Sequence, residues 1–333
     1  MKNNRTTYRI CTVAAFAVVV AGGSLLAQSL APLEGPPLGA VLDAASGSLL
    51  PLQGVPGSAI VGTPIPGAPL STAAISSEQG YALGVMRDSG KVVVVRFGAG
   101  SESQLTLQAA AYPDRIVLSP AGTSAVLWYA NQRSAKIVTG LPGSPLVNSV
   151  SLVSVDRDPD VCAISDDGST LLAAASSAAN GFYRFQKDAQ EFVSYSGQIA
   201  ALAFLRKSSD ALLADLTNQR LTWVRDARAG DAHFVTASPN VAIGAGESIG
   251  ISRDNTRALL ASPQSQSLSV VDLAAKVTSA RVDCGCSIAG LTPLNGSFLF
   301  RLNEPSGSPL AIVDASVAKP SLSVVPYRRR ESN

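Results

Sequence analysis

The chain has 333 residues with 26 basic and 24 acidic side chains, so its formal net charge at pH 7 is +2. A nearly balanced charge, with no basic run before Arg328–Arg330, lacks the electrostatic footprint of a nucleic-acid-binding protein. The single histidine, His233, excludes a Ser–His–Asp triad elsewhere in the chain and any metal site that needs two imidazoles.

The first 27 residues have the pattern of a secretory signal peptide. Three basic residues precede an apolar run from Ile10 to Ala21, and small residues follow as far as Ala27. An uncleaved membrane anchor is the alternative, because residues 10–27 come close to the roughly 20 apolar residues that span a bilayer. We expect cleavage before Gln28 and a periplasmic or secreted protein with no stable membrane insertion. Cleavage removes no acidic residue and leaves the mature chain nearly neutral.

A similar segment recurs six times, with an apolar strand, a turn and a second apolar strand in each copy. The segments are AISSEQGYALGV, IVLSPAGTSAVLW, CAISDDGSTLLAA, LAFLRKSSDALLA, IGISRDNTRALLA and IAGLTPLNGSFLF. Their spacing of about 43 residues is typical of a β-propeller blade, which has four short strands. One blade cannot bury both of its faces, whereas a closed ring of blades can.

The copy that begins near Asp160 shows the four expected strands most clearly. They are predicted at 161–165, 171–175, 182–185 and 191–195, with the turn Asp166-Asp167-Gly168 between the first two. Small side chains crowd the two inner strands, as expected where strands converge on a central axis. Helical periodicity is almost absent, so the chain is predicted to be all-β.

Six full copies, from about Ser71 to Tyr327, predict a β-propeller of six blades with four antiparallel strands each. The hairpin Leu38–Gly54 contains the hydrophobic–Asp pattern that ends third strands elsewhere, so it is interpreted as the outer half of a blade added to the ring. Seven blades is the alternative, although residues 28–54 are too few for four strands. The six-blade ring is expected to close between the copies at 288–327 and 70–107.

The predicted organisation has four parts. A signal peptide (1–27) is followed by a linker (28–37), a single propeller domain (38–327) and a polar tail (328–333). The chain is longer than one hydrophobic core usually allows. A propeller avoids this limit by repeating a small unit, so no second domain is required. The protein is expected to be a monomer.

The blades resemble the YVTN and lactonase-type, WD40-like propeller repeats of secreted bacterial proteins. The likeness rests on segments such as ISDDGSTLLAAA followed by GFYRF, and ISRDNTRALLAS followed by SLSVVDLAAK. It covers most of residues 38–327 and implies a propeller fold. In lactonase-type relatives acidic residues in the channel bind a metal, but the resemblance carries no catalytic residue over to this chain.

The loop that leads into each innermost strand, here called a leading loop, differs from blade to blade. These loops project onto one face of a propeller and surround the mouth of its channel, where residues distant in sequence converge. Scaffold loops of this kind are free to specialise, so a ligand is expected on the leading-loop face. The predicted ligand-binding residues are Asp114, Arg115, Asp158, Asp160, Gln198 and Glu247. Hairpin turns lie on the opposite face, and the geometry of these turns already explains their composition.

Two functions fit these residues. The first is a non-enzymatic binding or interaction scaffold for a peptide, glycan or protein partner. The second is a Ca²⁺-assisted hydrolase of the lactonase type, because Asp158, Asp160 and Glu247 offer the oxygen ligands that Ca²⁺ prefers. Ordinary solvated turn residues are the alternative to any site. No cofactor other than Ca²⁺ is expected.

Cys284-Gly285-Cys286 is the most unusual local motif. An oxidising compartment permits a disulfide between its two cysteines, and free thiols or a soft-metal site are the alternatives. A complete metal site would need Cys162, which a six-blade ring would place on the opposite side.

Overall fold

The regular structure consists of β-strands in the parts of the chain that the computed structural model describes. These are residues 35–97, 103–152, 159–178, 181–187, 189–305, 309–317 and 319–327. Among them no helix is long and apolar enough to cross a membrane. The predicted signal peptide, most of the predicted linker and the polar tail lie outside these residues and stay predictions.

Seven antiparallel sheets follow one another in the described part of the chain. The first has three strands, β1–β3 (Pro37–Asp43, Ser48–Gln53 and Ile60–Val61). The next three sheets are β4–β7 (Leu70–Ile75, Tyr81–Met86, Lys91–Arg96, Ser103–Ala111), β8–β11 (Arg115–Leu118, Ser124–Tyr129, Ser134–Thr139, Leu146–Ser151) and β12–β15 (Val161–Ile164, Thr170–Ala174, Gly181–Gln186, Ala189–Ser194). The last three are β16–β19 (Ile199–Phe204, Ala211–Asp215, Arg220–Arg225, His233–Ser238), β20–β23 (Ser248–Ile251, Arg257–Ser262, Ser267–Asp272, Val277–Asp283) and β24–β27 (Thr292–Pro293, Leu299–Arg301, Leu310–Asp314, Ser321–Val325).

We number the six four-stranded sheets blades one to six in chain order, and the sheet β1–β3 blade seven. In each of blades one to six, the first strand is innermost and runs from the leading-loop face to the hairpin-turn face. In blade three, β12 pairs with β13 from Val161↔Ala174 to Ile164↔Leu171, which confirms the predicted hairpin.

The turn between the first and second strands has the same hydrogen bond in all six four-stranded blades. The backbone N–H at its start donates to the carbonyl oxygen five residues later. The pairs are Ser76 and Tyr81, Ser119 and Ser124, Ser165 and Thr170, Leu205 and Asp210, Ser252 and Arg257, and Leu294 and Leu299.

Apolar side chains of adjacent blades pack against each other and form the core. Between blades three and four the buried residues include Leu172, Phe182, Phe204 and Leu213. Phe182 and Phe204 are each 1% exposed, and burying one such side chain contributes about 1.5–3 kcal/mol. The core is therefore divided into wedges between blades, as a ring of repeats requires.

Blade seven occupies the gap between blades six and one. One face of its hairpin packs Val41 and Leu52 against Leu310 and Ile312 of blade six. The other face packs Ala40, Leu42 and Leu49 against blade one. Both faces are buried, so this sheet is a blade of the ring and not an addition to it.

The strands of blade seven take the second, third and fourth places of a blade. β1 starts at the hairpin-turn face, where the Leu38 carbonyl accepts a hydrogen bond from Asn295 at 2.7 Å. It ends at the leading-loop face, where the Ala44 carbonyl accepts from Arg87 Nη2 at 2.8 Å. This is the direction of a second strand. Within the described residues, blade seven has no strand in the innermost place.

The all-β propeller is thus confirmed, with seven blades rather than six. Counting the repeats in the sequence includes only copies that have four strands. Residues 28–54 are too few for a seventh copy of that kind. Three strands are enough to fill the wedge, because a hairpin buries two faces whether or not an inner strand precedes it. The interpretation of Leu38–Gly54 as third and fourth strands is corrected to second and third.

The side chain of Gln79 bridges the inner edge of blade seven. Its Oε1 accepts a hydrogen bond from the Ala40 N–H at 2.9 Å, and its Nε2 donates to the Pro293 carbonyl oxygen at 2.6 Å. A side-chain amide offers the same donor and acceptor as a peptide group. Gln79 therefore accepts one hydrogen bond from the open edge of β1 and joins that edge to β24 of blade six.

Candidate functional site

A central cavity of about 380 Å³ lies between the innermost strands of blades one to six. Small and apolar side chains form much of its wall, including Ala74, Val117, Ala203 and Ile249. Gly250 belongs to the same wall, and a Cβ atom there would lie 2.8 Å from the Phe300 ring. Packing between blades five and six thus requires glycine at this position of an innermost strand.

Charged side chains bridge the cavity at the hairpin-turn face. Glu78 of blade one forms ion pairs with Arg206 of blade four and, at 3.8 Å, with Arg253 of blade five. Arg206 Nη1 also lies 3.3 Å from Ser77 Oγ, and Arg253 Nη2 donates to the Ser77 carbonyl oxygen. Since blades one and four are three apart in a ring of seven, these contacts cross this mouth of the channel.

Asp166 of blade three braces the same mouth. Its two carboxylate oxygens accept hydrogen bonds from the backbone N–H groups of Ala121 in blade two and Lys207 in blade four, each at 2.6 Å. The turn that the sequence explained by local geometry alone therefore also joins three blades.

A second charged pair lies in the cavity wall contributed by blade six. Arg301 is 3% exposed and contacts the Glu304 carboxylate with both terminal nitrogens, one of them at 2.7 Å. Its Nη2 also lies 3.3 Å from Thr292 Oγ1. The Nε of Arg301 is buried without a hydrogen-bond partner, and so is the Nε of Arg253.

Three of the residues predicted on the leading-loop face are connected across blades two to four. Arg115 Nη1 donates to the Asp160 carbonyl oxygen at 2.6 Å. The Asp160 carboxylate accepts from the Ser176 N–H at 2.6 Å and also from its hydroxyl. Gln198 donates from its amide to the Ser176 carbonyl oxygen. The structure therefore brings Arg115, Asp160 and Gln198 together, as one row of polar groups.

Asp114 lies at the start of that row and has a turn-stabilising contact. Its carboxylate accepts from the Ala130 N–H at 2.7 Å, and the residue separation of 16 is the same as between Asp160 and Ser176. Each carboxylate thus closes the turn that follows the second strand of its own blade. Asp158 lies outside the described residues, so its place in the site stays a prediction.

Glu247 is separate from this row, and it is buried. Its Oε2 accepts from the Gly244 N–H at 2.9 Å, whereas its Oε1 has no hydrogen-bond partner. Burial raises the pKa of Glu247 to about 7, although the hydrogen bonds from Gly244 and Ser262 oppose the shift. The neighbouring Ser248 hydroxyl is also buried without a partner.

The cysteines occupy two different environments. Cys284 and Cys286 form a disulfide, with Cα atoms 4.9 Å apart. Cys162 is a free, buried thiol in the cavity wall, with its Sγ 3.3 Å from Arg115 Nη2. Burial raises the pKa of the Cys162 thiol, and the nearby Arg115 guanidinium opposes that shift.

The described residues include no cluster of three or more His, Cys, Asp or Glu side chains that could hold a metal ion. Of the three carboxylates predicted to bind Ca²⁺, Asp158 is not described, and Asp160 and Glu247 have different hydrogen-bond partners. The Ca²⁺ site and the hydrolase that would use it stay predictions.

The fold resembles solved propeller structures at low sequence identity. A functionally unknown protein from Desulfotomaculum acetoxidans superimposes with a TM-score of 0.61 at 13% identity, over 86% of this chain and 98% of that one. A candidate 6-phosphogluconolactonase from Bacteroides fragilis gives a TM-score of 0.58 at 13% identity, over 86% and 92%. Hydrazine synthase from Kuenenia stuttgartiensis gives 0.54 at 11% identity, over 89% and 100%.

No protein-family model and no curated protein matches the sequence. At these identities the structural likenesses establish the β-propeller fold alone, because propellers host many unrelated functions. The lactonase-type resemblance is therefore supported as a fold, while membership of the YVTN family stays a prediction.

Sequence reasoning missed the charged residues that line the cavity, which are Arg206, Arg253, Arg301 and Glu304. It also missed Glu78, which pairs with Arg206 and Arg253. A signal was present for two of them. Arg206 and Arg253 each directly follow the first residue of a hairpin turn, and equivalent positions of all blades meet around one mouth of the channel. Their contact with Glu78 could not be read from the repeats, because Glu78 lies 128 residues from Arg206.

Proposed function

We propose that this protein is a binding scaffold that takes a small ligand into its central channel from the leading-loop face. The observation that carries the proposal is the asymmetry of the cavity. Its wall presents somewhat more apolar than polar surface, and the ion pairs of Glu78 with Arg206 and Arg253 cross the mouth at the hairpin-turn face. A volume of about 380 Å³ lies in the range of small-molecule pockets.

The row Arg115, Asp160 and Gln198 supports the choice of face. These polar groups are held by hydrogen bonds within blade three and from blade three to blades two and four, so a ligand would meet them without ordering a loop first. An apolar body in the channel and a polar end near this row would use both features. The partners expected from the sequence are a peptide, a glycan or a protein, and a peptide or a glycan can present such an end.

A neutral dye whose fluorescence rises in apolar surroundings, N-phenylnaphthylamine, tests the cavity directly. We expect saturable binding to the unmodified protein. Ala203→Phe places a ring in the cavity wall and should abolish that binding, whereas Ala275→Phe at an exposed turn should not change it. Equal binding by the two variants would contradict the proposal.

The direction of access needs a separate measurement. A cysteine introduced at Asp114, on the leading-loop face, or at Lys207, on the hairpin-turn face, can be coupled to a bulky maleimide. We expect slower dye association only for the label at position 114. Slowing by the label at position 207 alone would show that the ligand enters through the other mouth.

A further inference from the structure

We propose that the disulfide between Cys284 and Cys286 is redox-active and oxidises a dithiol substrate by thiol–disulfide exchange. The two cysteines lie in the leading loop of blade six, and neither lines the central cavity. The site is therefore independent of the proposed channel function. Two observations point to it, which are the small part that the bond plays in holding the fold and the unequal burial of its two cysteines.

Other blades show that the position of Cys284 needs no disulfide. The Cys284 N–H donates at 2.8 Å to the Gln266 carbonyl oxygen, in the turn between the second and third strands of blade five. Leu152 of blade two and Val241 of blade four make the equivalent hydrogen bond within their own blades. Both side chains are buried in the core, as Cys284 is at 8% exposure. An apolar side chain is therefore enough at this position, and Cys284 already packs as one.

The rest of the loop is also held without the disulfide. Ile288 is 5% exposed and packs in the same apolar cluster as Cys284. The N–H groups of Ala289 and Gly290 lie 2.8 and 3.2 Å from the Leu302 carbonyl oxygen. A disulfide stabilises a fold mainly by closing a loop of the unfolded chain, and the gain is smallest for the shortest loops. A bond between residues two apart in sequence therefore adds little to the stability of this fold.

The two cysteines differ in how far they are exposed. Cys284 is buried against apolar side chains of blades five and six. Cys286 is half-buried and lies between two exposed residues, Gly285 and Ser287. Gly285 has a left-handed backbone, with φ +58°, and apart from its chain neighbours no atom of the described chain lies within 4 Å of the place that a Cβ would take. The open side of the disulfide is therefore at Gly285, where a thiol in solution can reach Cys286.

This difference in exposure gives the two sulfurs different roles in exchange. A substrate thiolate attacks the Cys286 sulfur, the bond between the cysteines breaks, and Cys284 leaves as a thiolate. The second substrate thiolate attacks the substrate sulfur of this mixed disulfide, and Cys286 leaves as a thiolate. The substrate dithiol becomes a disulfide, and two electrons pass to the protein, whose thiolates take up through water the two protons that the substrate has lost.

The buried Cys284 also selects the class of substrate. It stays beside the mixed disulfide and can attack it again, which restores the original bond and releases the first substrate thiol. A monothiol is therefore released unchanged, whereas a dithiol can complete the second step before it leaves.

Equilibration with glutathione tests whether the bond reacts in the folded protein. The protein is incubated with mixtures of reduced and oxidised glutathione, alkylated, digested and analysed by mass spectrometry, which reports each cysteine separately. We expect the reduced fraction of Cys284 and Cys286 to rise as the mixture becomes more reducing, while the circular dichroism spectrum stays that of the folded protein. A bond that stays oxidised even in reduced glutathione alone, or that is reduced only as the protein unfolds, would overturn the proposal.

Two single variants test the roles of the sulfurs. Cys284→Val introduces the residue that blade four has at the equivalent position, so the fold should survive, and the remaining Cys286 should form a mixed disulfide with oxidised glutathione. Cys286→Ser leaves the buried Cys284, which should react at least about tenfold more slowly. Equal rates for the two variants would contradict the assignment of Cys286 as the sulfur that is attacked.

An unstructured peptide with two cysteines tests the class of substrate. Mixed with the oxidised protein, it should gain an internal disulfide while Cys284 and Cys286 become reduced in equal amount. The double variant Cys284→Val with Cys286→Ser is the matched control, and it should leave the peptide reduced and unfold in urea close to the unmodified protein. A peptide that stays reduced beside the oxidised protein would rule out the dithiol substrate. A double variant that does not fold would show that the bond holds the structure, against the proposal.

Discussion

Glu247 is a carboxyl group that burial keeps from ionising at its ordinary pKa. It is 7% exposed, and one of its oxygens has no hydrogen-bond partner. Its pKa rises from an ordinary value of 4.5 to about 7 because the charged form is poorly solvated. The folded chain therefore retains the Glu247 proton over a pH range in which the unfolded chain has lost it.

This difference predicts that Glu247 makes the protein less stable as the pH rises. Between about pH 4.5 and pH 7 the folded state binds more protons than the unfolded state, so the free energy of unfolding falls with increasing pH. The full effect, at about 1.4 kcal/mol for each unit of pKa difference, is about 3 kcal/mol above pH 7. Glu247→Gln is neutral at every pH, so it should gain stability relative to the unmodified protein between pH 5 and pH 8, as measured by urea unfolding.

The control is Asp283→Asn, because the Asp283 side chain is 87% exposed. Its stability relative to the unmodified protein should not change over the same range. A Glu247→Gln variant whose stability parallels that of the unmodified protein at both pH values would show that the Glu247 carboxyl is ionised and solvated in the folded state.

At the scale of single residues, the sequence predicts where the candidate site residues lie better than it predicts which groups they contact. Asp114 and Asp160 precede β8 and β12 as predicted, because strand patterns fixed the leading loops. Their bonds to Ala130 and Ser176 could not be foreseen, since they depend on how two loops of one blade meet. The burial of Glu247 likewise depends on packing that no local pattern reports.

At the scale of elements, arginines on one blade tie it to the next. Arg184 of blade three is 2% exposed and donates to the carbonyl oxygens of Ala227 and Gly230 in blade four. Arg96 of blade one makes the equivalent contacts with Pro142 and Gly143 of blade two, at 2.5 and 3.0 Å. These bonds satisfy carbonyl groups of the turn between the third and fourth strands, which the blade's own ladder leaves free.

Because Gln79 bonds to the inner edge of blade seven, we predict that its side chain stabilises the fold. Gln79→Met keeps the length of the side chain but removes both bonds, to the Ala40 N–H and the Pro293 carbonyl oxygen. Leaving such groups without partners costs about 1–3 kcal/mol. We expect urea unfolding to show a loss of this size, and no comparable loss for Gln264→Met at an exposed position. Equal stabilities of the two variants would mean that another group bonds to this edge.

Blade seven also shows why sequence reasoning favours six blades over the seven that the structure has. The pattern of Val41-Leu42-Asp43 predicts a third strand, because apolar residues followed by Asp end third strands in other blades. Asp43 does form such a turn, accepting from the Ala45 N–H at 3.1 Å, but it follows a second strand. A strand that ends in an Asp turn has the same local chemistry in either hairpin. Only the neighbouring blades decide its place.

At the scale of the whole molecule, a closed ring is more cooperative than an open array of repeats. In an open array each repeat contacts its neighbours only, so unfolding can spread from one end. Here blade seven packs against both blade six and blade one, so no blade among those described has a free face. Losing one blade would expose apolar surface on two others.

A substitution in blade seven tests whether the ring unfolds cooperatively, because both tryptophans lie in other blades and their fluorescence reports unfolding there. Leu52 is fully buried against blade six, so Leu52→Ala should cost about 2–5 kcal/mol. The two tryptophans, Trp128 and Trp223, lie in blades two and four. In a cooperative ring, urea unfolding followed by tryptophan fluorescence and by far-UV circular dichroism should shift together to lower urea. Leu146→Ala, at a side chain 67% exposed, should shift neither signal. A fluorescence transition that stays in place while the circular dichroism signal of Leu52→Ala shows an earlier step would mean that the blades unfold independently.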